Sequence, residues 1–285
     1  MAEIVSRKEK IKSKKAKFKQ FLKKNMTRTW AKRVSYQIFA FLVSVAMIVG
    51  VAVYAFNKTY NEREISFMDD FTITAHTGAF DTPDNTMESL ETAISHKMQV
   101  CEIDIRQRPD GTLVMAHDIV ANNSDGVEVD KVFDRVSQTD MKLNLDIKEV
   151  RVLPALYDMI TDYGFEERAF LTGIDEHQAD KVKQSCPGIA YYINYWPSRI
   201  RIFSDDYQKE ILDILSHTGA IGINCNHICA SRTLSSLLHD NGYKLSVWTV
   251  NRKYQMTRAL VNKPDNITTR CPDKLQKVIN EWGNN

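Results

Sequence analysis

The stretch "EIDIRQRPDGTLVMAHD" (Glu102–Asp118) sets carboxylates at alternate positions of an apolar run, turns, and returns to a His-Asp pair. Side chains at i and i+2 of a strand share a face. Glu102, Asp104 and Arg106 therefore project together from a strand whose other positions (Cys101, Ile103, Ile105) read as buried. Pro109, Asp110 and Gly111 form a hairpin signal. With Asp110-Gly111 as a two-residue loop, paired positions sum to about 221. Asp104 then faces His117, roughly 5 Å away at Cβ. One strand pair would gather two hard oxygen ligands suited to Mg²⁺ or Ca²⁺ and a histidine suited to acid–base work. The plain alternative is an edge strand whose polar face meets solvent.

Outward from that hairpin, strand-like and helix-like runs alternate. "FTITAH" (71–76) precedes "TMESLETAISHK" (86–97), whose Met87, Leu90, Ala93 and Ile94 fall at helical spacing. After the hairpin come "KLNLDIK", "VLPALYDMITDYG", "AFLTGI", "GIAYYINY", "YQKEILDILSHTG", "AIGINC", "RTLSSLLHDNG", "KLSVWTV" and further runs of the same kind. About eight strand–helix units over roughly 215 residues predict a closed (β/α)₈ barrel. An open doubly wound sheet is the alternative, but no glycine-rich phosphate loop follows the first strand. In a barrel, functional residues cluster at strand C-termini. His76, Asp146, Lys148, Trp248 and Asn251 fall there, and Glu102 and Asp104 belong to the second strand.

The net charge of +2 conceals a segregation. Residues 1–33 hold 13 Lys/Arg and 2 Asp/Glu, and the rest hold 25 and 34 (38−13 and 36−2). Between them, "SYQIFAFLVSVAMIVGVAVYAF" (Ser35–Phe56) carries no charge, and at 1.5 Å per residue it spans a hydrocarbon core of roughly 30 Å. Tyr36, Tyr54 and Phe56 sit at its ends, where interfacial aromatics belong. The segment reads as an uncleaved signal-anchor. A cleavable signal peptide, with "VYA" (53–55) as its site, is the competing reading. The positive-inside rule keeps the basic tail cytoplasmic and the rest outside. That gives a tail (1–34), a transmembrane helix (35–56), a linker (57–69) and a barrel (70–285). The tail is expected to meet anionic lipid head groups rather than nucleic acid. The five cysteines (Cys101, Cys186, Cys225, Cys229, Cys271) contain no C-x-x-C pair and read as buried thiols, with a Cys225–Cys229 disulfide left open.

"AHTGAFDTPDNTMESLETAI", "EIDIRQRPDGTLVMAHD", "LNLDIK" and "GYKLSVWTVNRKYQMTRAL" together resemble the glycerophosphodiester phosphodiesterase family, in order and spacing, over about residues 70–280. The resemblance implies a barrel of the phospholipase-C-like phosphodiesterase type. It implies His76 and His117 as the acid–base pair, with Lys148 beside them. Glu102, Asp104 and Asp146 would hold a divalent cation, Ca²⁺ or Mg²⁺, the third position being usually Glu. Asn85 would contact substrate, and Trp248 would pack on the glycerol moiety. Arg106 is a candidate for the phosphate.

Three positions depart from the family's pattern. Thr77 replaces the usual Arg after the first histidine, Asp146 the usual Glu, and Arg270 the usual Asp. The segment between His117 and Asn144 is short, leaving an open cleft. The implied activity is metal-dependent hydrolysis of a glycerophosphodiester, lysolipid or glycerol-phosphate polymer at the outer membrane surface. A membrane-anchored pseudoenzyme that binds a glycerophosphate ligand or a partner protein is the first alternative, and a lyase-type phosphodiesterase the second.

Overall fold

Short strands rich in Ile, Leu and Val alternate with amphipathic helices from residue 72 to residue 280 of the computed structural model, which describes residues 13–20, 27–61 and 65–282. The strands are β1 (Thr72–Ala75), β2 (Val100–Gln107), β3 (Leu113–Met115), β4 (Val127–Glu128) and β5 (Lys142–Ile147). They continue with β6 (Ala169–Ile174), β7 (Ala190–Asn194), β8 (Gly222–Asn226), β9 (Lys244–Trp248) and β10 (Asn266–Thr269). All but β3 and β4 pair in parallel, and β1 bonds to both β2 and β10, so the ring closes. This is the (β/α)₈ barrel that the alternation predicts.

Alternation along each strand sorts the side chains. Leu143, Leu145 and Ile147 face the helical layer and are buried, while Asn144 and Asp146 face inward. The same holds for Cys101, Ile103 and Ile105 against Glu102 and Asp104. The barrel's inside is therefore polar, and its groups satisfy one another as buried polar atoms must. Asn266 accepts from Thr72 and Thr74 and donates to Ser246 and Thr268. Asn224 donates to Asn194, and Thr172 donates to Asn144.

The hairpin differs from its expected register. Ile105 faces Met115, Arg106 faces Val114 and Gln107 faces Leu113, so paired positions sum to 220, not 221. Gly111 adopts φ +95°, which lets Pro109, Asp110 and Gly111 form a three-residue loop inside the Arg108–Thr112 pair. One extra loop residue slides the return strand by one position. Ala116, whose N–H donates to the Asp104 carbonyl, takes the place expected of His117.

The chain divides into two compact units, Met1–Thr59 and Tyr60–Asn285. All but the last two residues of a 34-residue helix, Arg28–Asn61, belong to the first unit; the helix runs past both ends of the segment read as a span and into residues read as linker. Within Arg28–Ala55 an 18-residue stretch reaches a mean hydropathy of 2.6 with none of it buried, so the helix is long and apolar enough to cross a membrane. Much of the basic tail (residues 1–12 and 21–26) and residues 62–64 of the linker lie outside the described residues.

Candidate active site

Register places the acids. Asp104 of β2 lies directly beside Asp146 of β5, with Glu102 one inward position lower, beside Asn144. One carboxylate oxygen from each of Glu102, Asp104 and Asp146 lies within 4.8 Å of the others. Glu102 and Asp104 are buried. Burial, then the charges of Asp104 and Asp146, push the Glu102 carboxyl well above the usual carboxylate range. Burial acts the same way on Asp104, but Lys148 and Asn85 outweigh it and hold that carboxyl low.

Three clustered oxygens with surplus negative charge form a hard-donor set that fits a divalent cation. Lys148 stands in for part of that charge: its Nζ lies 2.8 Å from Asp104 Oδ1 and 2.5 Å from Asp146 Oδ2. The two carboxylates raise the ammonium's pKa against the opposing effect of burial.

The cluster forms one wall of a cavity of ≈ 460 Å³ at the C-terminal ends of the strands, which His76, His117, Lys148, Trp248 and Arg270 also line. His76 follows β1. Its Nδ1 lies 2.6 Å from the Thr77 carbonyl oxygen and 3.8 Å from Glu102 Oε2. A carbonyl only accepts, so Nδ1 carries the hydrogen and Nε2 the lone pair. Burial pulls the His76 pKa below its ordinary value. His117 lies beyond the end of β3, 70% exposed at the cavity rim, with Nδ1 3.1 Å from the Asp118 carboxylate. The two histidines thus meet at the cavity although the hairpin does not pair His117 with Asp104.

Two of the residues read as substrate contacts face the protein instead. Asn85 Nδ2 donates to Asp104 Oδ2 at 2.8 Å, and Asn85 Oδ1 accepts from the Asp104 N–H. Asn85 thereby aims a cluster carboxylate. Thr86 next to it caps the following helix by accepting from the Ser89 N–H. Arg106 Nε donates to the His117 carbonyl at 2.9 Å, which fixes the backbone that carries the rim histidine. Trp248 lines the cavity and meets the exposed Trp196 edge-on, 6.1 Å between ring centres.

Sequence reading passed over three features. Asp84 and Arg270 line the cavity as a bidentate ion pair. Asn194, at the end of β7, and Asn224, midway along β8, complete its polar floor, and the strand-end rule points to the first. Finally, the loops after β7 and β8 and the helix start after β9 carry Trp196, Ile200, Phe203, Ile228 and Tyr254, all exposed, Ile200 to 86%. Arg199, Arg252 and Lys253 are exposed among them. All five cysteines are free thiols, so no Cys225–Cys229 disulfide is present.

No protein-family model matches the chain. A curated glycerophosphodiester phosphodiesterase from Caldanaerobacter subterraneus subsp. tengcongensis is 23% identical over 255 residues, covering 74% of this chain and 98% of its own. Among solved structures, a glycerophosphodiester phosphodiesterase from Parabacteroides distasonis aligns with a TM-score of 0.62 at 17% identity, over 75% of this chain and 98% of its own. A phosphodiesterase from Oleispira antarctica, solved in complex with the product sn-glycerol-3-phosphate, aligns with a TM-score of 0.61 at 20% identity, over 73% of this chain and 96% of its own. In its closed barrel, and along nearly the whole length of the curated relative, this chain is similar to glycerophosphodiester phosphodiesterases.

Proposed function

We propose that the chain hydrolyses a glycerol-containing phosphodiester at the outer face of a membrane, using His76 as general base and His117 as general acid. The observation that carries the reading is His76: half-buried, with Nδ1 held on the Thr77 carbonyl and the lone pair left on Nε2, beside the carboxylate cluster. An imidazole with a depressed pKa is unprotonated at neutral pH and ready to take a proton. It deprotonates the nucleophile, either water directly or the neighbouring glycerol hydroxyl, in which case water then opens the cyclic phosphate that forms. His117, whose Nδ1 is directed by Asp118, delivers a proton from Nε2 to the departing alkoxide. Glu102, Asp104 and Asp146 would hold a divalent cation, Ca²⁺ or Mg²⁺, which would supply charge neutralisation for the phosphate. Asn85 keeps Asp104 aimed at that point, and Lys148 limits the repulsion between Asp104 and Asp146. Trp248 offers an apolar wall for the glycerol.

Two features support a membrane setting. The helix Arg28–Asn61 is long and apolar enough to cross a bilayer, and the charge asymmetry puts the basic tail on the cytoplasmic side. The exposed apolar and cationic residues on the β7–β9 side of the mouth match a lipid surface, with apolar tips below anionic head groups. A lysolipid, or a glycerol-phosphate polymer made at that surface, fits this rim better than a freely soluble diester.

Full-length protein in detergent, given glycerophosphocholine, a lysolipid and poly(glycerol phosphate) with Ca²⁺, Mg²⁺ or chelator, tests the reading. A phosphomonoester should form in a metal-dependent reaction, glycerol phosphate from the soluble diester or the polymer and an acylated glycerol phosphate from the lysolipid, fastest from the lipid or polymer. No turnover of any of the three under any condition would leave a binding protein in place of the enzyme. A cyclic phosphate product would assign a lyase.

A further inference from the structure

The cavity is rich in anions and short of available cations. Asp84, Glu102, Asp104 and Asp146 line it, against Lys148 and Arg270. A phosphodiester brings a further negative charge. Lys148 is already shared between two carboxylates, so Arg270 is the group left to meet it.

The geometry around Arg270 suits that task. Nη1 lies 2.5 Å from Asp84 Oδ1 and Nη2 2.7 Å from Asp84 Oδ2. A guanidinium has five N–H donors, so this fork occupies two of them and about three remain for a ligand. The backbone at Arg270 is tied on both sides: its N–H donates to Asn251 Oδ1, and its carbonyl accepts from the Phe80 N–H. The head group lies against Gly78, where a Cβ would sit 2.7 Å from Nη1 and overlap the Asp84 carboxylate. Only a bare backbone lets the pair settle there. The guanidinium therefore arrives from the end of β10 at the turn that follows His76, beside Thr77. The Thr77 side chain is buried, and its hydroxyl accepts from the Asn85 N–H. Arg270 also lies close enough to His76 for its charge to oppose protonation of the ring.

We propose that Arg270, oriented by Asp84 over Gly78, is the residue that grips the anionic phosphodiester of the substrate. It supplies from β10 the guanidinium that Thr77 does not supply from β1. The proposal rests on the phosphodiesterase reading and adds the residue that recognises the phosphate. It also gives roles to two of the departures from the family's pattern: Thr77 vacates a position that Arg270 fills. A guanidinium held in a fixed fork is suited to a phosphate's nonbridging oxygens, which an ammonium meets only as a point charge.

The rival account is a structural staple, in which the ion pair merely ties the loop after β10 to the loop after β1. Binding of sn-glycerol 3-phosphate to full-length Arg270→Gln and Arg270→Lys, measured by calorimetry beside kcat, KM and thermal midpoint, separates the two. Phosphate gripping predicts that Arg270→Gln weakens glycerol 3-phosphate binding and raises KM by at least about tenfold with the midpoint little changed. Arg270→Lys, which keeps the charge but loses the fork, should fall between. Asp84→Asn should weaken binding by a smaller factor, because the guanidinium loses its orienting partner. Wild-type affinity in Arg270→Gln overturns the assignment. So does a loss of midpoint with affinity intact. If Arg270→Gln does not fold, an Arg270→Lys variant with wild-type affinity and KM overturns it equally. Failure of the wild-type protein both to bind glycerol 3-phosphate and to hydrolyse any diester would instead sink the phosphodiesterase reading itself.

Discussion

The two sides of the barrel mouth are built from different materials. On the side of β1, β2 and β5, charge is dense and mostly buried: three carboxylates within 4.8 Å, a lysine bridging two of them and a histidine locked in one tautomer. On the side of β7, β8 and β9 the floor is neutral, Asn194 and Asn224 hydrogen-bonded to each other, and the rim is apolar and exposed. The buried charged side is costly to assemble and tolerates little change. The other side is held by ordinary packing below and by a few polar contacts above, such as Gln208 donating to the Ile202 carbonyl. Under the proposed function, chemistry belongs to the first side and the choice of substrate to the second.

The sharpest way to break that division is to neutralise the charged side. Glu102→Gln and Asp104→Asn should each abolish metal-dependent turnover. Glu102→Gln should also raise the thermal midpoint of chelated protein near pH 7. A carboxyl whose folded pKa is raised contributes stability below its unfolded pKa, and that contribution is lost as pH rises through the folded value. Gln keeps an acceptor for the Thr77 N–H that Glu102 now serves and carries no such loss. Added Ca²⁺ or Mg²⁺ should stabilise wild type by mass action and leave Glu102→Gln nearly unmoved. A wild-type midpoint indifferent to both ions would refute the metal site without any activity assay.

Next in size are the histidines. His76→Ala and His117→Ala should each reduce kcat by about 10²–10⁴-fold, the usual worth of general acid–base assistance. A substrate with an activated leaving group distinguishes their roles: His117→Ala should recover most of its rate on a nitrophenyl diester, because a nitrophenolate leaves without a proton. His76→Ala should not. The reverse pattern would exchange acid and base.

How much of this was legible beforehand follows from range. Strand–helix alternation is a local pattern, and it predicted the barrel. The strand-end rule then gathered His76, Glu102, Asp104, Asp146, Lys148 and Trp248 from distant positions. The hairpin register failed by one residue because Pro109, Asp110 and Gly111 satisfy both a two- and a three-residue loop, and sequence does not separate them. Arg270 read as a damaging departure because its partner, Asp84, lies 186 positions away and meets it only where β10 closes on β1. Asn85 and Arg106 carry the residue types of ligand contacts, but their direction depends on backbone geometry that composition does not encode.

The apolar side is tested by a smaller effect. Trp196→Ser, Ile200→Ser and Phe203→Ser, combined, remove side chains that are 64%, 86% and 73% exposed, so the fold should be indifferent. Each large apolar side chain buried in lipid is worth about 1.5–3 kcal/mol. Turnover of a lysolipid held in vesicles should fall at least about tenfold, while turnover of soluble glycerophosphocholine stays near wild type. Equal losses on both substrates would mean that the rim supports the cavity rather than a surface.

The smallest expected effect links the charged side to Arg270. The base must be unprotonated, so kcat/KM falls as pH drops through the pKa of His76 in the free enzyme. Burial, with Arg270 adding to it, holds that pKa below 6.5, and the acid limb of the profile should lie correspondingly low. Arg270→Gln removes a positive charge and leaves Asp84 unneutralised. Both changes favour the imidazolium, so the His76 pKa should rise and the acid limb should move to higher pH. Asp84→Asn removes the negative member of the pair and should move the limb the other way. The two shifts are opposite in sign because the same histidine feels both charges. An acid limb unmoved in both variants would show either that Arg270 and Asp84 are electrically remote from the base or that the base is not His76, and repeating the profile in His117→Ala would separate those outcomes.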